Sequence, residues 1–335
     1  MFNWKWYLRD IKQDKPVNVF SCFSCGGGST MGYKRAGFQV IGNVEIDANI
    51  NKMYLKNFNP TYNYNMDLRD FNKLENLPEE LYHLDILDGS PPCSTFSLAG
   101  HREKAWGVKK KFREGQKEQT LDDLFFVWLN TVEKLKPKIA IAENVVGLIQ
   151  GNAKGYVNMI IRQFHELGYT VQIFKLNAAY MDVPQARERV FFIGNNQQYP
   201  KLKLQFNNRP ILFGEVRSKR GLPIIGEKIQ YYLKHVKPTD RNLGDTTKRL
   251  DGRCRCFNHR LQQDDRVAST LTAKQVNIRS YDKMWMSSHD VMNVSTFPQD
   301  YDFSGQKIEY VCGMSVPPNM MANIALEIWN QWLKK

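Results

Sequence analysis

Val17-Asn18-Val19-Phe20-Ser21-Cys22-Phe23-Ser24-Cys25-Gly26-Gly27-Gly28 decides how this chain is read. Residues 17–23 form an apolar, β-prone run, and a glycine-rich turn follows. A helical pattern covers 29–35 and a second strand covers 39–45. A strand that passes through a glycine turn into a helix and on to another strand begins a parallel α/β unit. Glycines at that turn let the main chain approach a ligand, and the helix N-terminus offers free N–H groups. Glu45 and Asp47 close the second strand, where a carboxylate commonly binds ribose hydroxyls. The stretch therefore points to an adenosine-containing cofactor. It fits a nicotinamide dehydrogenase equally, and a purely structural glycine turn also fits. Cys22 and Cys25 form a Cys-x-x-Cys pair, but no second pair stands at metal-ligand spacing, so neither a redox nor a metal site is expected.

The alternation continues outward. Strands are expected at 85–87, 139–142, 170–176 and 190–193. Helices are expected at 121–135, stopped by Pro137, and at 156–167, ended by Gly168. This order predicts a doubly wound, mostly parallel α/β sheet, Rossmann-like. Residues 196–285 differ in character. They are weakly periodic and carry 19 Lys/Arg against 8 Asp/Glu, a net of +11 in a chain of formal charge +13. They read as a smaller, irregular domain, and clustered positive charge favours a polyanion, although a solvated face is the plainer alternative. Regular patterning resumes at 286–335 and ends in a helix at 320–333. The chain has 335 residues, 42% of them apolar, with no run long enough to span a membrane. Six cysteines without a regular framework fit a reducing cytosol, and no signal peptide is evident.

Further motifs carry chemistry. Gly89-Ser90-Pro91-Pro92-Cys93 follows the strand at 85–87. Two prolines make a stiff, non-helical segment, which places the Cys93 thiol like a nucleophile; a buried inert thiol is the alternative. Ala142-Glu143-Asn144-Val145 ends a strand near the first one. A buried acid there serves as a proton donor or, more plainly, as a hydrogen-bonded cap. Gln185-Ala186-Arg187-Glu188-Arg189 precedes the strand at 190–193. Alternation along a strand puts Arg187 and Arg189 on one face, a pair suited to a carboxylate, a phosphate or a base oxygen, or to an ordinary salt-bridged edge. Between Ser94 and Glu118 runs a long basic stretch with Arg102, Lys109, Lys110, Lys111 and Arg113, positioned to close over a nucleic-acid backbone or to serve only as a linker. Cys254-Arg255-Cys256-Phe257-Asn258-His259 shows no fourth ligand, so no metal site is expected there.

Taken in order, the glycine loop, the Pro-Pro-Cys loop, the Glu-Asn-Val strand end, the Gln-x-Arg-x-Arg strand and Gly313-Met314-Ser315-Val316-Pro317-Pro318 make this chain resemble the cytosine-5 DNA methyltransferases, of bacterial or phage type. The resemblance covers residues 17–195 and 286–335. It implies a catalytic domain of residues 1–195 and 286–335, with 196–285 as the target recognition domain. It implies methyl transfer from S-adenosylmethionine to C5 of a flipped-out cytosine in a short duplex sequence, with the Cys93 thiolate adding to C6. Glu143 would contact the N3 edge, Arg187 and Arg189 would hold the base oxygen, and Asn144 would position this shell. For the cofactor it implies Phe23, Gly27 and Gly28 at the methionine part, Glu45 at the ribose, and Ile46 beside the adenine. Asp67 would contact the adenine amino group and Leu124 would pack on the adenine, with Leu68, Pro91, Ser315 and Val316 completing the site. Ser94, the basic stretch, Arg217, Arg220, Arg253 and Arg255 would contact DNA. The sequence departs from the family pattern at Cys25, where the loop usually has its first glycine, and at Ile46, where an aromatic is frequent. Met314 stands in place of the usual Asn, and Ser288-His289-Asp290-Val291-Met292-Asn293 stands where arginines are usual.

Partners implied are double-stranded DNA, no membrane, a monomeric state and a cognate restriction endonuclease. The location implied is the cytoplasm of a bacterial or phage-infected cell. A tRNA cytosine-5 methyltransferase, a catalytically silent DNA-binding relative and a nicotinamide oxidoreductase are the competing readings. Cys256-Phe257-Asn258 matches the tRNA branch poorly, and the oxidoreductase leaves Pro91-Pro92-Cys93 unexplained.

Overall fold

The computed structural model describes residues 1–92, 124–150, 154–273 and 276–334, together with the main chain of 109–110 and 119–120. The chain divides into two compact units that interleave along the sequence. One, the sheet unit, comprises Ile11–Leu176, Glu188–Gln205 and Met321–Lys335; the other, the mixed unit, comprises Met1–Asp10, Asn177–Arg187 and Phe206–Met320.

The sheet unit is built on seven strands: β1 (Asn18–Cys22), β2 (Gln39–Val44), β3 (Tyr62–Tyr64), β4 (Ile86–Gly89), β5 (Ile139–Val145), β6 (Thr170–Asn177) and β7 (Glu188–Asn195). Their spatial order is β3-β2-β1-β4-β5-β7-β6. The pairs β1–β2, β2–β3, β1–β4 and β4–β5 are parallel, and β7 runs antiparallel to β5. The order runs one way from β1 to β3 and the other way from β4 onward. The ends of β1 and β4 thus flank a topological switch point, where ligands of open α/β sheets bind. β5 is buried from Ile139 to Asn144, the continuous burial that a central parallel strand covered on both faces demands.

Helices flanking this sheet include α1 (Gly28–Arg35), α2 (Ala48–Phe58), α3 (Leu124–Leu135) and α4 (Lys154–Glu166). α3 stops where Lys136 turns to φ 47 ahead of Pro137. α4 ends at Gly168, φ 83, whose N–H reaches His165 O at 2.9 Å. α2 starts at Asp47, whose carboxylate accepts from the N–H groups of Asn49 and Ile50. The core gathers Phe20, Leu87, Phe125, Trp128, Val132, Ala140, Phe164 and Phe192. Glycine at position 89 lets the Trp128 indole lie on the end of β4, since a Cβ there would stand 2.4 Å from its Nε1. The final turns bring Trp332 against this unit: it stacks on Tyr199 with centroids 5.4 Å apart and donates to Pro200 O at 2.8 Å.

The expected strands and helices of this half are present, the helix at 121–135 being described from Leu124 onward, and β3, α2 and a short helix at Leu68–Phe71 add to them. β3 is a short, half-buried edge strand, and α2 was not apparent from the sequence. The terminal helix also differs from the expected 320–333: it is an α-helix over Pro318–Ile328 that widens to a π-helix over Trp329–Leu333.

The mixed unit is more regular than its weak periodicity suggests. It holds α5 (Glu227–Lys234), α6 (Leu243–Asp251), α7 (Ser288–Ser295) and α8 (Ile308–Met314). A small sheet joins His259–Gln262 in parallel with Val276–Arg279, which pairs antiparallel with Met284–Trp285. Ile224, Tyr232, Leu233, Leu243, Leu261 and Ile278 form a core of their own. Arg279 is fully buried and ion-paired to Asp282 (2.6 Å) and Asp290 (3.3 Å). Residues 196–205 pack with the sheet unit and 206–285 with the mixed unit. Among the described residues no helix is long and apolar enough to cross a membrane.

Candidate active site

The turn after β1 bends through three left-handed residues, Phe23 (φ 55), Cys25 (φ 46) and Gly27 (φ 70). At Gly27 an added Cβ would meet Phe58 Cε2 at 2.2 Å, so both conformation and space require glycine there. The turn is braced from the side by a buried amide cluster. Asn43 Nδ2 donates to Ser24 Oγ (3.0 Å), and Asn63 Nδ2 donates to Asn43 Oδ1 (2.8 Å) and Asn51 Oδ1 (2.7 Å). Gly28 opens α1, whose first-turn N–H groups lie at the end of this turn.

Glu45, immediately after β2, is buried. Its Oε2 accepts from Cys25 N and its Oε1 from Asp47 N, both at 2.9 Å. Burial pushes its pKa up, and those main-chain donors oppose the shift. A carboxylate has about four acceptor positions, so both oxygens keep capacity for ribose hydroxyls. Asn65 Nδ2 fixes the main chain here through Glu45 O at 2.7 Å. Ile46 follows Glu45 directly. Asp67 caps the short helix Leu68–Phe71 by accepting from Arg69 N (2.8 Å), and it pairs with the Arg69 guanidinium (3.2 Å). Leu68 and Leu124 are buried. The glycine turn, the α1 N-terminus and Glu45 suit a ligand with a carboxylate end and a ribose, and S-adenosylmethionine has both.

At the end of β5 stand Glu143 and Asn144. Arg189 on β7 lies diagonally across the antiparallel pair from Glu143, since its direct partner is Val145. Its Nε meets Glu143 Oε1 at 2.9 Å, with side chains only 14% and 11% exposed. Asn144 Nδ2 donates to Pro91 O at 3.1 Å, tying β5 to the Pro-Pro segment. Ser90 N reaches Cys22 O at 3.4 Å, tying the same segment to β1. Cys93 lies outside the described residues, as do Ser94, Arg102, Lys111 and Arg113. Lys109 and Lys110 are described in main chain only, where they pair antiparallel with Gln119–Thr120.

The sheet unit therefore gathers Phe23, Gly27, Gly28, Glu45, Ile46, Asp67, Leu68, Pro91, Leu124, Glu143, Asn144 and Arg189. The mixed unit holds Arg187, Ser315, Val316, Arg217, Arg220, Arg253 and Arg255. The expectation that Arg187 and Arg189 share one strand face is corrected. Arg187 falls between the short strand Gln185–Ala186 and β7, so the alternation breaks there. Its guanidinium is buried and donates to Leu271 O (2.9 Å) and Gly313 O (3.1 Å). Gly313 lets the main chain of residues 272–273 pass close by, because a Cβ there would stand 2.5 Å from Ala273 N. Ser315 and Val316 are buried, with Ser315 Oγ bonded to Val311 O at 2.8 Å. Arg217 pairs with Asp264 (2.8 Å) and stacks on Tyr281, while Arg220, Arg253 and Arg255 are exposed.

Sequence reasoning did not find the amide cluster, Asn65, or a buried carboxylate on β4, Asp88. The available signal was a polar residue inside an otherwise apolar strand, at Ser21, Asn43 and Asp88.

A family model described as C-5 cytosine-specific DNA methylase matches residues 17–212, more than half of the chain. The orphan methyltransferase M.SPRI of Bacillus phage SPR is 32% identical over 203 residues, covering 58% of this chain and 42% of that protein. The chain thus spans less than half the length of this relative. The type II methyltransferase M.HindV of Haemophilus influenzae is 28% identical over 324 residues, 94% of this chain and 96% of that protein. Among solved structures, a mutant of Spodoptera frugiperda DNMT2 superposes with a TM-score of 0.65 at 14% identity, covering 93% of this chain and 99% of that one. At that identity the likeness speaks for the fold alone.

Proposed function

The chain belongs to the C-5 cytosine-specific DNA methylase family, and from that premise we propose that it methylates C5 of a flipped-out cytosine in a short duplex DNA sequence. The observation that carries the reading is the juxtaposition at the switch point. The end of β5, with its buried Glu143–Arg189 pair, is bonded through Asn144 to the segment that leads into Cys93.

The target atom is inaccessible inside a stacked duplex, so the base must leave the stack. In this reading the Cys93 thiolate adds to C6 of the extruded cytosine, which makes C5 nucleophilic. Glu143, oriented by Arg189, faces the N3 edge and holds a proton there during addition. Asn144 keeps the Pro91 carbonyl, and with it the approach to Cys93, in register with β5. S-adenosylmethionine, when bound, supplies an electrophilic methyl group. Glu45 would hold its ribose, and Phe23, Gly27 and Gly28 its amino-acid end. Asp67, Leu68, Ile46, Pro91 and Leu124 would surround the rest. Loss of the C5 proton then expels the thiolate and restores the ring. The roles given to Arg187, Ser315 and Val316 rest on the family resemblance alone.

We read the basic segment within 196–285 as the target recognition domain, with Arg217, Arg220, Arg253 and Arg255 facing DNA. We also infer a monomeric, cytoplasmic protein that works beside a cognate restriction endonuclease. The charge of that segment supports the DNA-facing reading, and the type II relative supports the endonuclease partner.

The test is to incubate the chain with duplex DNA and labelled S-adenosylmethionine and map 5-methylcytosine at base resolution. Methylation at one short sequence is expected, with at least ~1,000-fold loss in Cys93→Ala, because the nucleophile is removed. Unmethylated DNA with the wild type would overturn the function, and equal methylation by Cys93→Ala would overturn the mechanism. Methylation of tRNA alone would transfer the reading to the RNA branch.

A further inference from the structure

Asp88 is a charged residue set into β4, one residue before the strand's last glycine, and it is 1% exposed. It stands beside Ser21 in the parallel β1–β4 register, and Ser21 Oγ donates to its Oδ2 at 2.9 Å. Tyr33 OH, from the second half of α1, donates to its Oδ1 at 3.2 Å. Ser29, in the first turn of α1, supplies a third side-chain hydrogen bond. Ser21, Ser29 and Tyr33 are themselves buried. A carboxylate in this position joins three elements: β1, which leads into the glycine-rich turn; α1, which leaves it; and β4, which leads into the Pro-Pro segment. None of the chemistry proposed above uses it.

We propose that Asp88 is a positioning residue. Its buried clasp with Ser21, Ser29 and Tyr33 fixes the first turn of α1 against the ends of β1 and β4, and so sets the affinity of the glycine-rich turn for the amino-acid end of an adenosyl cofactor. This rests on the reading of that turn as the cofactor site. An ionised carboxylate only accepts, and so satisfies all three hydroxyls together. A protonated one must donate from one oxygen, which removes an acceptor from the clasp.

The groups facing Asp88 are Glu143 on β5, Cys22 on β1, Tyr33 on α1 and Tyr54 on α2. Burial, together with the nearby Glu143 charge, pushes the Asp88 carboxyl up to about 7 against the three hydroxyls that hold it down. The clasp is therefore intact above neutrality and loosened below it.

The experiment is calorimetric titration of the full chain with S-adenosylhomocysteine between pH 6 and pH 8. The variants Asp88→Asn, Ser21→Ala and Tyr33→Phe are measured beside the wild type, each verified as folded by its melting transition. If only the ionised clasp binds well, wild-type affinity falls by about tenfold from pH 8 to pH 6, the change in the competent fraction. Asp88→Asn should bind weakly at both values with a flat profile. Titration of the ligand is common to both proteins and cancels in the comparison. Ser21→Ala and Tyr33→Phe each remove a donor that favours the charged form, so their midpoints should move above that of the wild type. A merely structural role would lower affinity without moving a midpoint. An Asp88→Asn profile that parallels the wild type would overturn the proposal alone. A wild type that binds no S-adenosylhomocysteine at any pH would overturn the cofactor reading and this proposal with it.

Discussion

Cys25 holds a left-handed backbone, φ 46, between Phe23 and Gly27, which do the same. An L-residue pays about 1–2 kcal/mol in that region, and glycine pays nothing sterically. The bond that Cys25 contributes to Glu45 comes from its main-chain N–H, which glycine would keep. Cys25→Gly should therefore stabilise the chain, by up to about 1 kcal/mol once glycine's greater unfolded-state freedom is subtracted. A urea midpoint that rises without a change in slope is the expected result; a fall would mean that the thiol packs better than the backbone suffers. The same residue marks what sequence could and could not show. The family's first glycine stands at this position, so the substitution was visible. That its backbone stays left-handed despite the side chain was not, because φ is imposed by the turn that joins β1 to α1.

At the scale of elements, the strands of the sheet were legible because apolar runs of five or so residues between glycine and proline signals have few other readings. α2 was not. Its sequence, Ala48-Asn49-Ile50-Asn51-Lys52-Met53-Tyr54-Leu55-Lys56-Asn57-Phe58, is rich in asparagine, a poor helix former, and Asn51 is drawn inward to the buried amide cluster. Its cap, Asp47, was instead read beside Glu45 as a ribose ligand. The structure gives Asp47 a complete local role: it accepts from Asn49 N at 2.9 Å and Ile50 N at 3.2 Å. Asp47→Ala should thus cost about 1 kcal/mol of stability, the usual worth of an N-cap. Affinity for S-adenosylhomocysteine should stay within about twofold, because Glu45 is held by the main-chain N–H of residue 47 and not by its side chain. Denaturation and calorimetry on the one variant separate these roles. Lost affinity at retained stability would make Asp47 a ligand after all. The break between Arg187 and Arg189 was hidden for a similar reason: strand alternation assumes one strand, and a one-residue interruption cannot be seen in a five-residue motif.

At the scale of the molecule, charge is the property that sequence reports most directly and structure refines. Most of the +13 lies in 196–285, and that segment folds into helices and a small sheet around its own core. Folding sorts its cations into two kinds. Arg279 is buried between two carboxylates, and Arg217 is committed to Asp264, so neither adds much free field. Arg220, Arg253 and Arg255 are exposed, as are Lys248 and Arg249 at the end of α6, although Arg249 also reaches Asp240 at 2.7 Å. If this face meets DNA, binding should release counterions with a slope of about −0.9 per neutralised phosphate on a double-logarithmic salt plot. Five contacts would then cost several-hundredfold, roughly, between 50 and 200 mM salt. S-adenosylhomocysteine, if Glu45 and the glycine turn hold it as proposed, should show little salt dependence over the same range. Reversing Arg253 and Arg255 together to glutamate should make the DNA slope shallower by about two or more, uniformly across sequences, if they meet phosphates. A slope unchanged by that double variant would place the phosphate contacts elsewhere. A loss confined to one recognition sequence would instead mean that these two arginines read bases, because a base contact discriminates between sequences and a phosphate contact does not.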